Sequence, residues 1–225
     1  FAAAVFGSLA SAASAQSSVT LYGVVGTWVG QIDTKVGPKP GKVSVNEPNG
    51  GPATRWGLRG TEDLGGGLSA KFVLEQGVAI DTGAVSTVSG SNLGFNRAAW
   101  TGLAGSFGEA RFGRMLTAYD ALRGSNNHVY DAGFAATGQV WSAGATEQGN
   151  VAAVNGSDYL ARGNNTVYYK TPQWGPFVAS ASVSLGEGQT TATAAPRLVT
   201  GHAEYSSGPI RLGYAFQDER YTSGP

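Results

Sequence analysis

Residues 54–62 read TRWGLRGTE. Arg55, Gly57, Arg59 and Thr61 alternate with the large apolar Trp56 and Leu58. Successive side chains of a β-strand point to opposite faces, so this stretch is a strand with one polar or small face and one apolar face. In a soluble sheet the arginines would meet water and the Trp and Leu a protein core. In a membrane wall the same Trp and Leu would meet lipid. The other segments decide which side holds the water.

The alternation recurs along the chain in segments of roughly ten residues separated by glycine-rich turns, the pattern of a transmembrane barrel. Nine strands are predicted, at 17–31, 53–62, 68–81, 95–104, 108–116, 164–172, 177–186, 200–206 and 209–218. In SVTLYGVVGTWVG, Val19, Leu21 and Val25 oppose Thr20, Tyr22 and Trp28. In LSAKFVLEQG, Phe72 and Leu74 oppose Lys71 and Glu75, and the DLGGG before it is a hairpin signal, because glycines accept positive φ. NRAAWTGLAG sets Arg97, Ala99 and Thr101 against Ala98, Trp100 and Gly102. In EARFGRML, Arg111 opposes Phe112, while Arg114 shares the parity of Phe112 unless a bulge at Gly113 shifts it. FVASASVSL sets Ser180, Ser182 and Ser184, expected as a uniformly wet face, against Phe177, Ala179, Ala181, Val183 and Leu185, and PIRLGYAFQ sets Arg211 and Gln217 against Leu212, Tyr214 and Phe216.

Connections alternate in length. Residues 63–67, 105–108, 173–176 and 206–209 are short, while 31–53, 82–95, 117–163 and 186–199 are long. An outer-membrane barrel has this asymmetry, with tight turns at one end and long loops at the other. A loop as long as 117–163 implies a function.

Composition narrows the function classes. A formal net charge of zero removes the basic surplus of a nucleic-acid binder, and the absence of cysteine removes disulfides and cysteine metal sites. His128 and His202 stand apart with no GxSxG or paired-His motif, no glycine run ends as a P-loop, and nothing calls for a cofactor or metal. The expectation is therefore a protein that is not an enzyme. Residues 1–15, FAAAVFGSLASAASA, carry no charge and end on Ala13-Ser14-Ala15, which reads as part of a secretory signal peptide. Residues 16–225 then read as the N-terminal part of a single barrel domain.

The polar face settles the side that holds water. Arg55, Arg59, Lys71, Arg97 and Arg111 fall on four neighbouring strands, and that density of positive charge needs an aqueous setting with counterions. A sheet in a bilayer must also close, because an open edge leaves backbone groups unpaired in hydrocarbon. The expected fold class is an all-β transmembrane antiparallel barrel, with lipid outside and water inside.

SSVTLYGVVGTWVG, TRWGLRGTEDLGGGLSAKFVLEQG, NRAAWTGLAGSFGEARFGRM and NTVYYKTPQWGPF together resemble the trimeric general porins of Gram-negative outer membranes, particularly the betaproteobacterial and neisserial branch. The resemblance implies a sixteen-stranded barrel, of which nine strands fit here, and a homotrimer that passes small hydrophilic solutes and ions by passive diffusion. It implies the cell outer membrane as location, with lipid and lipopolysaccharide around the barrel and no nucleic-acid partner. It also implies that the loop 117–163 folds into the lumen and narrows it. The pore-lining candidates are Arg55, Arg59, Lys71, Glu75, Arg97, Arg111, Arg114, Asp120 and Asp131, with Glu147 and Asp158 as further loop carboxylates. Glu75, Glu109 and Glu204 are expected to neutralise neighbouring arginines, while Trp100, Phe112, Tyr169, Tyr205 and Phe216 are expected at lipid-facing or interfacial positions.

Two other readings share the alternation. A secreted β-rich adhesin would be soluble without detergent, and an outer-membrane hydrolase would carry a serine and histidine side by side on the outer wall. His202 has lumen parity instead.

Overall fold

The computed structural model describes residues 18–26, 29–31, 43–45, 54–80, 83–85, 94–125, 162–186 and 197–220. The leader at 1–15, His128, Asp131, Glu147 and Asp158 lie outside the described residues. The described chain is strands with one short helix: β1 (Ser18–Val24), β2 (Val29–Gln31), β3 (Val43–Val45), β4 (Arg55–Gly65), β5 (Leu68–Gly77), β6 (Ala98–Gly105), β7 (Gly108–Leu116), α1 (Ala118–Ser125), β8 (Arg162–Lys170), β9 (Phe177–Leu185), β10 (Arg197–Ser207) and β11 (Ile210–Arg220).

Nine strands form one antiparallel sheet in the order β1-β4-β5-β6-β7-β8-β9-β10-β11, as the alternation anticipates. The first predicted strand is shorter than expected. β1 stops at Val24, and Val29–Gln31 pairs instead with Val43–Val45 in a separate two-stranded hairpin. Thr54 holds the break, its hydroxyl donating to Gly26 O at 2.8 Å and accepting from Gly26 N at 3.0 Å. The DLGGG signal makes the tightest connection possible: β4 and β5 are joined by Gly66 and Gly67 alone, at φ 61° and 80°. Two consecutive positive φ values match the right-handed twist of the flanking strands and are free of Cβ strain only for glycine.

Directly opposed residues in an antiparallel pair share a face, so the register sorts the wall. One face carries Trp56, Leu103, Phe112, Val167, Phe177, Leu212, Tyr214 and Phe216, all large, apolar and exposed. A continuous apolar face left open on a sheet this wide is the lipid-facing surface of a membrane wall. No described helix is long and apolar enough to cross a membrane.

The other face carries Arg55, Arg59, Lys71, Glu75, Glu109 and Arg111 with the hydroxyls of Ser180, Ser182 and Thr200, and it is also the covered one. α1 packs on it, mainly against β10 and β11. The buried apolar residues Met115, Ala118 and Tyr168, with Trp100 against them, gather where α1 leaves β7. The β7 to β8 register shifts between Gly113 and Met115, where two steps along β7 oppose three along β8 and Asn165 takes φ 47°. The extra residue is therefore in β8, β7 keeps its parity, and Arg114 stays in phase with Phe112.

Candidate pore wall

Three carboxylates organise the cations of the polar face. Glu75 on β5 is the first. Its Oε1 accepts from Arg97 Nε at 2.7 Å, its Oε2 accepts from the Tyr22 hydroxyl at 2.9 Å, and Arg55 Nε stands 3.7 Å away. Tyr22, Gly57 and Glu75 lie on one register row of β1, β4 and β5. Gly57 lets the phenol cross, since a Cβ there would stand 2.9 Å from the Tyr22 ring. Arg97 occupies the bend before β6, where its backbone N–H donates to Glu75 O at 3.1 Å and its side chain turns to the same residue.

Glu109 on β7 is the second. It chelates Arg111, with Nε and Nη2 each 3.0 Å from a carboxylate oxygen, and Lys71 Nζ lies 3.8 Å from Oε1. Arg111 is further held between two rings, its guanidinium carbon 4.6 Å from the centroid of Trp100 and 5.1 Å from that of Tyr168. Planar guanidinium suits both the bidentate fork and the stacking. Glu204 on β10 is the third, accepting from Arg211 Nη2 at 2.8 and 3.0 Å. Arg59 differs from these: it is exposed, stacks over Tyr22 at 5.2 Å, and has no ion pair among the described residues.

Of the sequence candidates, Arg55, Arg97 and Glu75 thus meet in one cluster, Lys71 and Arg111 in a second, and Arg59 stands beside the first. Arg114 does not join them. On the parity of Phe112, it bonds Asn96 O at 2.6 Å through Nε and Asn164 Oδ1 at 2.5 Å through Nη1, at the end of the sheet from which α1 departs. Asp120 is buried in the first turn of α1, and its backbone N–H donates to Thr117 Oγ1 at 3.2 Å.

Trp100 corrects an expectation. Counted with the apolar set as a lipid-facing or interfacial residue, it lies on the polar face beneath Arg111. Its register partners Val73 and Gly113 share that face. The residues the sequence reading missed are Tyr22, Tyr168 and Lys170. The last is the register partner of Glu109, and parity along TVYYK was the available signal. No group of acids and histidines able to hold a metal occurs among the described residues.

Comparison with known proteins agrees with this geometry. The family model for Gram-negative porins matches residues 2–224. Outer membrane porin protein 32 of Delftia acidovorans is 36% identical over 222 residues, covering 95% of this chain and 57% of that protein. Major outer membrane protein P.IB of Neisseria gonorrhoeae is 32% identical over 171 residues, 74% of this chain and 43% of the relative. Among solved structures, the anion-selective porin from Comamonas acidovorans superposes with a TM-score of 0.67 at 32% identity, over 92% of this chain and 59% of that one. The chain spans somewhat over half the length of the relatives that cover it best. An apolar outward face, a charged inward face and a family match along almost the whole chain lead to one conclusion: the chain belongs to the Gram-negative porins, proteins of the outer membrane.

Proposed function

We propose that the full-length protein is a channel, not an enzyme, through which small hydrophilic solutes and ions diffuse passively across the outer membrane, and that its arginine-rich lumen favours anions. The observation that carries this reading is the polar face itself. Arg55, Arg59, Lys71, Arg97 and Arg111 line one side of a wall whose other side is apolar, and Glu75 and Glu109 are too few to balance them. In a water-filled lumen with low-dielectric walls, surplus charge raises the local concentration of counterions. The anion selectivity of the Comamonas acidovorans porin, at 32% identity, supports the sign.

The described sheet has β1 and β11 at its edges, each paired on one side. A bilayer excludes such edges, so we infer that further strands, about sixteen in all by family resemblance, close the barrel. The same resemblance supports a homotrimer. Native electrophoresis of the full-length protein checks this, the expected result being a trimer band that converts to monomer on heating.

Reversal potentials under a KCl gradient test the selectivity. The full-length protein in a planar bilayer is expected to pass chloride more readily than its Arg59→Gln and Arg97→Gln variants. The difference should be largest near 0.01 M salt, where the Debye length is about 30 Å, and small near 1 M, where it is about 3 Å. Equal permeability ratios at low salt would remove these side chains from the selective part of the pore.

A further inference from the structure

Ala118, the first residue of α1, is wholly buried, and both of its backbone polar groups are bonded to the wall. Its N–H donates to Thr200 Oγ1 at 3.0 Å and to Ser182 Oγ at 3.2 Å, residues 82 and 64 positions away. Those two hydroxyls bond each other at 2.7 Å. Its carbonyl lies 2.7 Å from His202 Nδ1, which also sits 2.9 Å from Ser180 Oγ. A carbonyl only accepts, so this contact assigns the proton of the ring to Nδ1. One helical turn later, Leu122 is 2% exposed and seated on β11 at Gly213, where a Cβ would come within 2.5 Å of Leu122 Cδ1.

A helix of eight residues is too short to persist on its own, and the N–H groups of its first turn have no partner within the helix. The serine and threonine hydroxyls supply one, and Thr117 caps another. The serine row of β9 is therefore a covered surface and not the wet face expected: Ser180 and Ser182, 6% and 5% exposed, belong to the socket of α1, and Ser184 bonds Thr166.

We propose that Ser182, Thr200 and His202 are positioning residues that hold α1 against the β9 to β11 wall and so fix how far it projects into the pore. The proposal rests on the channel reading for its effect on current, but the docking itself can be read without it. Loss of one such hydrogen bond shifts a docking equilibrium about five- to tenfold.

These 225 residues hold no cysteine, so Ala121→Cys on the half-buried side of α1, in a full-length protein with any cysteine outside them changed to serine, gives a single reporter thiol. In that background Thr200→Val keeps the side-chain shape and removes the hydroxyl, whereas Thr200→Ser keeps the hydroxyl. Labelling by a water-soluble maleimide is expected to be about fivefold faster in Thr200→Val and in Ser182→Ala, and to return to the parent rate in Thr200→Ser. Single-channel recordings should show greater open-state noise in the first two variants only. Unchanged labelling in Thr200→Val, or failure of Thr200→Ser to restore it, overturns the proposal. Should Thr200→Val not fold, Ser182→Ala and His202→Gln decide on the same readout. A parent protein that labels as expected but carries no current would sink the channel reading and leave the positioning role standing.

Discussion

Phe112→Arg is expected to lower the folding free energy of the full-length protein in a lipid bilayer by about 2–4 kcal/mol, the cost of a cation on the lipid face near the bilayer midplane. Phe112 is central in β7, it is 48% exposed, and its register partners Thr101 and Val167 share its face. On this side a guanidinium has no water, no carboxylate and a long way to snorkel. Ser69→Arg is the control. Ser69 lies on the opposite face, opposite Ala104, which in turn opposes Glu109, so an added cation there meets water and a carboxylate. Its cost should stay within about 0.5 kcal/mol, as for an ordinary wet surface. Denaturant titration of both variants refolded into liposomes measures the difference. Equal costs would mean that the two faces see the same solvent, and the lipid assignment would fail.

Glu75→Gln should act on stability and selectivity together. The substitution keeps the side-chain shape and an acceptor for the Tyr22 hydroxyl, but it removes the carboxylate that lies against Arg97 and Arg55, whose side chains are 14% and 8% exposed. Breaking a buried pair from one side costs about 3–5 kcal/mol. Lumen water and the other contacts of these arginines reduce that figure, and a loss of roughly 1–3 kcal/mol is expected. Meanwhile the pore gains one net positive charge next to Arg59. The anion-to-cation permeability ratio should therefore rise at low salt and converge on the parent value near 1 M, as the Debye length shrinks to about 3 Å. Thermal melting and reversal potentials on the same preparation check both halves. A ratio that falls or stays level at low salt would place this cluster outside the conducting path.

Most of the wall was legible because its physics is local. A strand between lipid and water must alternate, and a two-residue turn between such strands needs glycine, so both leave marks in short windows of sequence. What escaped depends on contacts made at a distance. The sequence shows α1 only as part of a loop because AYDALRGS is a short segment whose stability comes from β9, β10 and β11. One local signal was present: Thr117 three residues before Asp120 is the spacing of a helix N-cap, and the N–H of Asp120 does bond the Thr117 hydroxyl. Size and aromaticity predict lipid for Trp100, whereas its ring lies under Arg111, and no window of sequence reveals a partner eleven residues on and across a turn. The ion-pair partners of the arginines were legible by parity alone for Glu109, which shares a strand with Arg111, and needed the register of two or three strands for Glu75.

The strand order has a kinetic consequence. Each strand of the large sheet hydrogen-bonds only to its neighbours in that sheet's chain order, so no pairing has to wait for a distant segment to arrive. Loop-closure entropy is paid in small instalments, the largest of them across residues 117–161, and assembly can advance like a zipper from any hairpin. The growing sheet nevertheless carries two adhesive borders at every stage, and while unpaired each is a template for a foreign strand. For this topology the hazardous interval in assembly is the one in which those borders stand unpaired, more than the pairing of any two neighbouring strands.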